Sequence, residues 1–421
     1  GRQAPPPRPG RRVSGMPDTA RAEGRGFLAA FGSRSYRFQW PADLLSSWAF
    51  EMETLILNWF VLVATDSVLM TAAFSALAFG GTLLSPFFGV LADRIDRKTM
   101  LITMRLTYLA LAATVMTLGL TGNVEPWQLF AIAAVSGLLR PSDLVVRHSL
   151  IADTFTAAAL PNAMGLSRIT MDSARIAGSL LGAGLLSTVG IGVAYGAVVG
   201  FYVVSIALAT GIAAPRPAVR TDAHPWQDLR LGFRYVFETP TILGIMSLAF
   251  LVNLTAFPIT HGLLTIVARN VFGLDENGLA RLVASYAVGA LIGSLILAAY
   301  KGSRPGRATV IATLVWYVLL MGFGLTRDPS LGMGLIVFIG AAQSFSMISM
   351  SVLLLTTAHE AFRGRVSGVR MLAVYGLPLG LIIGGALIEL LGTHGTFTLF
   401  TLTGIACTVL IAFRWRVLIE S

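Results

Sequence analysis

Two acidic residues lie inside an apolar stretch of the sequence. Glu51 and Glu53 occur within residues 41–64, together with Asn58. An ionisable side chain in a long apolar segment must be paired or hydrated, which makes each one a functional candidate. Two residues apart on a helix means a rotation of about 200°, so the glutamates cannot both face one cavity, whereas Glu51 and Asn58 share a face. We expect one glutamate, preferentially Glu51, to line a central cavity and bind a proton or a cationic group; a structural ion pair with an arginine is the alternative.

Two further apolar segments each carry an arginine–aspartate–arginine set with helical spacing. The sets are Arg140, Asp143 and Arg147, and Arg168, Asp172 and Arg175. Side chains three or four residues apart touch on a helix, so each set predicts its own ion pairs. Each set has one surplus positive charge. We therefore expect Arg140 or Arg175 to meet Glu51 or an anionic substrate, and place Asp143 and Asp172 beside the same cavity.

The second half of the chain offers fewer candidates for the cavity: Asn253, His261, Gln343 and Arg370. His261 could titrate near neutral pH, although a simple hydrogen-bonded histidine is the alternative. The sequence has no histidine cluster with metal-ligand spacing, no phosphate-binding loop and no nucleophile–base signature. It therefore predicts no metal, no cofactor and no enzymatic activity.

The elements that carry these residues are long and apolar. Of the 421 residues 55% are hydrophobic and only 12% charged, about half the charged fraction of a soluble domain. A membrane-spanning helix needs about 20 mostly apolar residues. Such segments fall near residues 41–64, 68–91, 99–121, 126–150, 162–188, 190–213, 240–268, 279–300, 307–326, 332–357, 366–391 and 396–414. The sequence thus predicts an all-α membrane protein with twelve transmembrane helices and the lipid bilayer as its surroundings.

The net charge of +10 is concentrated in alternate loops between these segments. This distribution follows the positive-inside rule and puts both termini in the cytoplasm, with no nucleic-acid partner. We expect a disordered tail over residues 1–38, a six-helix bundle over 39–214, a linker over 215–239, a second six-helix bundle over 240–415 and a short tail over 416–421. Within the linker, Trp226, Leu229, Phe233 and Val236 recur with helical spacing and predict an amphipathic helix on the membrane surface.

The two halves also repeat one packing signal. Gly178 and Gly182 lie four apart in the fifth segment, and Gly376, Gly380 and Gly384 repeat that spacing in the eleventh. Spacing by four places small residues on one helix face, where a neighbouring backbone can approach closely. The matched positions predict two related bundles.

The loop between the second and third segments carries the most specific motif. Its sequence, Gly89-Val-Leu-Ala-Asp93-Arg94-Ile-Asp96-Arg97-Lys98, resembles the signature loop of the major facilitator superfamily, from which it departs at Asp96, where glycine is commoner. Arg363-Gly-Arg365-Val-Ser-Gly368 resembles a loop sequence of the bacterial branch that includes macrolide, multidrug and enterobactin exporters. The resemblance implies a major facilitator fold with two pseudo-symmetric six-helix bundles. Ser179 stands where drug:proton antiporters have proline.

The signature loop also has the chemistry of a cytoplasmic gate. Gly89 lets helices touch, and Asp93 can lie at the positive N-terminal end of the eleventh segment. Arg94, Arg97 and Lys98 can pair with acidic residues such as Asp153, while Arg363 and Arg365 belong to the corresponding loop of the second half. The alternative is that these cations only fix the orientation of the chain.

Together these features predict a secondary transporter in the bacterial inner membrane. The expected activity is proton-coupled export of a small lipophilic or amphipathic molecule, such as a drug-like compound or a siderophore, by a monomer working through alternating access. Uptake or facilitated diffusion of an organic anion is the alternative within transport, suggested by the surplus arginines. A membrane sensor or enzyme on the same scaffold is the alternative from another class.

Overall fold

The computed structural model describes residues 27–81, 96–156, 159–213, 225–299, 304–359, 362, 366, 369–370 and 372–416. The described residues form helices joined by short turns, with no β-strand among them. A 3-10 segment, Phe27–Gly32, leads into the first long helix.

The helices of the first half are α1 Arg34–Thr65, α2 Val68–Leu77, α3 Arg97–Thr121, α4 Pro126–Thr154 and α5 Leu160–Thr210. Those of the second half are α6 Pro225–Glu238, α7 Pro240–Thr255, α8 Glu276–Ala299, α9 Pro305–Leu325, α10 Pro329–Thr357 and α11 Gly376–Arg414. Several begin with proline in the first turn, where its missing N–H costs no hydrogen bond.

Within the described residues eight helices are long and apolar enough to cross a membrane, or nine if the bent pair α6–α7 forms one span. Two of them are double. A kink at Gly190 (φ 76°) divides α5 into two helices, and a kink at Gly392 (φ 72°) divides α11; glycine adopts a positive φ without steric cost. Each of the twelve predicted segments contains a described helix, although the second is represented by α2 alone.

Glycine contacts are repeated between the two halves. Gly178 and Gly182 of α5 pack on the backbone of α1 at Trp48 and Met52. In the second half Gly376 and Gly380 of α11 make the matching contact with α7, at Phe250 and Leu254, whereas Gly384 faces Leu263 and Phe400. The predicted role of glycines in close helix packing is therefore confirmed for the α5–α1 contact and for the α11–α7 contact.

Two buried cores belong to single halves, and a third joins them. One cluster contains only residues of the first half, such as Met52, Leu101 and Tyr195. Another contains only residues of the second half, such as Ile245 and Leu354. The third combines Leu62 and Ala72 of the first half with residues of α7–α11. The halves therefore touch through an apolar contact, and the site described below lies between them.

The seventh predicted segment is not one continuous helix. After α7 the chain continues in short turns, Phe257–His261, Leu264–Ile266 and a π-turn Val267–Val271. The ladder shifts to i→i−5 bonds there, with Leu263 N donating to Pro258 O at 3.0 Å. Proline has no N–H and its ring crowds the preceding turn, which accounts for the break at this point.

The helix predicted in the linker is present as α6. It meets α7 at an angle of 108°, as expected for a surface helix leading into a span. Val236 is buried against the second half, whereas Phe233 and Phe237 are 36% and 67% exposed. Trp226 and Leu229 lie where only the backbone is described.

Candidate functional site

A cavity of 580 Å³ lies between the two halves, within the size range of small-molecule sites. Its polar lining residues from the first half are Glu51, Thr54, Asn58, Ser75, Arg140, Arg175 and Ser179; those from the second half are Asn253, Thr260, His261, Thr265, Tyr286 and Arg370. Phe50, Phe79, Phe257, Met171 and Met347 are among the apolar ones. Such a lining suits a molecule with an apolar body and a few polar groups.

Glu51 lines this cavity and faces an arginine of α5. Its Oε1 lies 3.9 Å from Arg175 Nε, the longest ion-pair distance among the described residues. The pair is brought together by Gly178, one helical turn further on, which packs against Trp48 and Glu51. Arg175 is thus the arginine that meets Glu51, and their loose contact leaves both groups accessible to a ligand.

Glu53 faces away from this cavity, as the 200° rotation requires. It lines a smaller pocket of 50 Å³ inside the first half, together with Tyr108 and Arg140. Its Oε2 accepts a hydrogen bond of 2.7 Å from Tyr202 Oη. Glu53 therefore belongs to the interior of the first half and not to the lining of the large cavity.

Arg140 lies between the two pockets. It lines both the 580 Å³ cavity and the 50 Å³ pocket, and its guanidinium lies against the ring of Phe50. Among the described residues no carboxylate lies within 4 Å of it. Arg140 is therefore the surplus cation of its set, since Asp143 pairs with Arg147.

Asp143 and Asp172 pair with other arginines outside the cavity lining. Asp143 Oδ2 lies 2.6 Å from Arg147 Nη2, and Asp172 Oδ2 lies 3.1 Å from Arg168 Nε. Both carboxylates are buried. Since each already has an arginine one turn away on its own helix, neither is directed at the cavity, contrary to our expectation.

A buried charge network inside the first half was not among the predicted sites. Asp43 of α1 pairs with Arg105 of α3, which is fully buried, and lies 3.7 Å from Arg147 of α4. Arg147 also donates to the hydroxyls of Ser46 and Ser47, both at 2.9 Å. The signal was present, because Asp43 and Arg105 are ionisable residues within predicted spans, like Glu51.

The remaining candidates of the cavity have local partners. Asn58 accepts a 2.5 Å hydrogen bond from Ser75 of α2 and donates to Thr54 O at 2.7 Å. Asn253 donates to Ala249 O at 2.8 Å. His261 Nδ1 lies 3.1 Å from Thr260 Oγ1, and its ring centre is 6.0 Å from that of Tyr286.

Gln343 and Arg370 were both predicted in the cavity, but only Arg370 lines it. Gln343 is buried in α10 but is not among the lining residues, whereas Arg370 is. Arg370 brings the arginines of the described lining to three, with Glu51 as the one carboxylate among them. The cavity thus has an excess of positive charge.

The gate residues are described only in part. Arg97 Nη1 lies 2.5 Å from Asp153 Oδ2, joining the start of α3 to the end of α4, and Lys98 Nζ donates to Thr210 O at 2.6 Å. Gly89, Asp93, Arg94, Arg363 and Arg365 lie outside the described residues.

At the opposite end of the molecule the halves are joined by polar contacts that the sequence analysis did not anticipate. Arg269 Nη1 donates to Leu62 O and to Asp66 Oδ1, both at 2.9 Å. Leu69 N donates to Glu389 Oε1 at 3.3 Å. These residues lie at the helix ends remote from Arg97 and Asp153. We therefore use the name distal clasp for Leu62, Asp66, Leu69, Arg269 and Glu389.

Two helical halves that enclose a polar cavity and are clasped at one end have the architecture of an alternating-access membrane transporter. The sequence profile of the Major Facilitator Superfamily matches residues 26–378. The chain belongs to this family, and is therefore a multi-pass membrane transporter and not an enzyme.

Known relatives agree with this family. The enterobactin exporter EntS of Escherichia coli O1:K1 / APEC is 29% identical over 295 residues, which is 67% of either chain. The enterobactin exporter EntS of Shigella boydii serotype 18 is 28% identical over 295 residues, again 67% of each.

Solved structures show the same fold at low sequence identity. A crystal structure of a POT family transporter in complex with 5-aminolevulinic acid superposes with a TM-score of 0.71 at 12% identity, covering 92% of this chain and 97% of the other. The nucleoside transporter NupG gives a TM-score of 0.65 at 15% identity, covering 90% and 99%.

Proposed function

We propose that this transporter exports a small amphipathic molecule across the bacterial inner membrane in exchange for protons. The observation that carries the proposal is the cavity between the halves, where Glu51 and Arg175 face each other among aromatic and methionine side chains. The apolar part of a cargo would pack on Phe50, Phe257 and Met347. The similarity to enterobactin exporters makes a siderophore one substrate class, and a drug-like compound the other.

In this proposal residues 39–214 and 240–415 are the two bundles that rock about the cavity. The chain termini and the Arg97–Asp153 pair lie on the cytoplasmic side, and the distal clasp faces the periplasm. Closing the clasp while the cytoplasmic side opens would admit cargo from the cell; opening it would release cargo outside. The positive loops support this orientation.

Glu51 is proposed to respond to cargo directly. Its carboxylate is held by a single long contact to Arg175, so a cargo that donates a hydrogen bond or carries a positive group can replace that contact. An ionised group in a water-poor cavity is costly unless it is paired. When a cargo group replaces Arg175 as the partner of Glu51, it therefore changes which charges in the cavity are paired.

One observation favours a second candidate function, transport of an organic anion. Arg140, Arg175 and Arg370 line the cavity with Glu51 as the one described carboxylate. A carboxylate or phenolate of a cargo would be attracted by that excess charge. Uptake or facilitated diffusion would then replace proton-driven export.

Flux into proteoliposomes with an imposed pH gradient tests these alternatives, with enterobactin as the first cargo. Proton antiport predicts uptake into the vesicles that depends on the pH gradient and falls at least tenfold in Glu51→Gln. Glu125→Gln, at an exposed residue that caps α4, is the control and should transport normally. Flux that is indifferent to the pH gradient and to Glu51→Gln would contradict the proposal.

A further inference from the structure

Three of the described residues that line the large cavity are arginines, and they are held in different ways. Arg175 faces Glu51 at 3.9 Å, and Arg140 lies against Phe50 at the boundary with the 50 Å³ pocket. Arg370 is the arginine that the second half contributes, and no described carboxylate lies within 4 Å of its guanidinium. Arg370 is therefore a cation in the cavity for which the described residues offer no counter-charge.

The helix face that carries Arg370 is turned to the cavity. Arg370 lies in helical turns just before α11. Three residues further along the chain line the same cavity: Ala373, Val374 and Leu377. Positions i, i+3, i+4 and i+7 share one face of a helix. The direction of Arg370 therefore rests on two turns of cavity-lining residues and not on a single contact.

Apart from Arg370, this face is apolar. Ala373 and Leu377 are buried, and the cavity wall continues over Phe79, just after α2, and Phe257. A ligand that combines an anionic group with an apolar body suits such a wall, because its body takes apolar surface out of water. Its anionic group also supplies the counter-charge without which a desolvated guanidinium is costly.

A guanidinium also selects the kind of group that it binds. Its planar fork can donate two parallel hydrogen bonds to a carboxylate. A lipophilic cation would be repelled, since Arg140, Arg175 and Arg370 outnumber Glu51 among the described charges of the lining. The cavity therefore favours an acid over a lipophilic cation.

We propose that Arg370 binds an anionic oxygen group of the cargo, a carboxylate or a phenolate, so that the cargo class is an amphipathic acid. This inference rests on the proposed function, because it takes the cavity between the halves as the cargo site. The Glu51–Arg175 pair of the first half accepts a hydrogen-bonding group of the same molecule. The cargo then bridges the two halves, with its anionic group held by the second.

Equilibrium binding of three probes that share a naphthalene body tests the proposal on purified protein in detergent. The probes are naphthoate, its neutral isostere naphthamide and the cation naphthylmethylammonium, each followed by naphthalene fluorescence. We expect the wild type to bind naphthoate about tenfold more tightly than naphthamide, as one hydrogen bond to a charged group allows, and to bind the cation most weakly. Arg370→Gln should remove the preference for naphthoate, while the affinity for naphthamide changes less.

Arg281→Gln is the matched control for this assay. Arg281 is an exposed arginine of α8 that is not among the cavity residues, so its variant should bind all three probes as the wild type does. If Arg370→Gln does not fold, Arg370→Lys takes its place: it keeps the charge but loses the planar fork, and naphthoate should bind more weakly than to the wild type. Equal binding of naphthoate and naphthamide by the wild type, or an unchanged affinity for naphthoate in the Arg370 variants, would overturn the proposal.

The binding assay needs neither a gradient nor flux, so its outcome is separate from that of the transport assay. Flux driven by the pH gradient, together with equal binding of naphthoate and naphthamide, would keep the proposed function and reject the role of Arg370. A preference for naphthoate that depends on Arg370, together with flux indifferent to the pH gradient, would keep the anion site and reject proton-driven export.

Discussion

Arg269 Nη1 donates to both the carbonyl oxygen of Leu62 and the carboxylate of Asp66, at 2.9 Å each, and so ties the residue that follows the seventh predicted span to the end of α1. Asp66 and Arg269 are separated by 203 positions in the chain. Asp66 caps α1 with a positive φ of 47°, a conformation that Asp and Asn tolerate better than most residues. The contact is therefore built into the end of α1 and bridges the two halves.

Asp66→Asn should loosen the distal clasp without disturbing the cap. Asp66 and Arg269 are 84% and 30% exposed, so the pair contributes about 1 kcal/mol or less, which is a change of up to about fivefold in the clasped population. Leu120 and Leu390 are exposed positions at the distal end of each half. Spin labels at Leu120→Cys and Leu390→Cys, in a Cys407→Ser background, would report the distance between the halves by pulsed electron paramagnetic resonance. We expect a larger fraction of long distances.

The matched control for this measurement is Glu125→Gln. Glu125 also lies at the distal end, but it caps its own helix and contacts no residue of the second half among its described hydrogen bonds. Its distance distribution should equal that of the wild type. If Asp66→Asn gave the same distribution as well, the Asp66–Arg269 pair would have no role in holding the halves together.

The Asp43–Arg105 pair should be a large contributor to stability, with unequal effects of its two members. Asp43→Asn leaves Arg105 buried and positively charged, and breaking a buried pair in this way costs about 3–5 kcal/mol. Arg105→Met should cost less, because Arg147 still lies 3.7 Å from Asp43. Thermal unfolding in detergent measures both, and the double variant should recover part of the loss in Tm.

Arg234→Gln serves as the control for these charge deletions. Arg234 pairs with Glu238 at 2.7 Å on the exposed surface of α6, so its loss should leave Tm unchanged. If Asp43→Asn were as harmless as Arg234→Gln, the buried network would not stabilise the first half.

The fold was predictable from the sequence because each span is encoded locally. Apolar length set the segments, and the two kinks lie at their boundaries: Gly190 is the first residue of the sixth segment, and Gly392 falls between the eleventh and twelfth. The break after α7 was not predicted, since Pro258 lies within an otherwise uniform apolar run. A local defect of this kind depends on neighbouring helices that satisfy the freed backbone groups.

The site was less predictable, because it depends on how the helices are rotated. The opposite orientation of Glu51 and Glu53 follows from two-residue spacing alone, and Arg175 was one of two expected partners. The pairing of Asp43 with Arg105, 62 residues apart, and of Asp66 with Arg269 requires the arrangement of whole helices. Asp143 and Asp172 were assigned to the cavity on the spacing within their own helices. That assignment was wrong because such spacing does not tell which side of the helix faces the cavity.

The crossing of α8 and α10 should tolerate no added methyl group. A Cβ at Gly289 would collide with the carbonyl of Val337, so Gly289→Ala forces the helices apart and should destabilise by about 1–3 kcal/mol. Gly200 has open space around it, and Gly200→Ala should be neutral or stabilise by up to about 1 kcal/mol through helix propensity. Thermal unfolding of the two variants compares them; equal Tm values would mean that the crossing is loosely packed.

The Arg97–Asp153 pair distinguishes a structural contact from a simple orientation signal. If the loop cations serve only to orient the chain, Asp153→Arg adds a positive charge on the same side and should be harmless. If the 2.5 Å contact matters, Asp153→Arg places two cations together and should slow transport several-fold, since a partly exposed pair is worth about 0.2–1 kcal/mol and repulsion adds a similar amount.

The swap Arg97→Asp with Asp153→Arg keeps the net charge of the wild type and should restore transport. Vesicle flux measures the rates, and protease accessibility of a C-terminal tag checks orientation; normal flux in Asp153→Arg would reduce the pair to a topology signal.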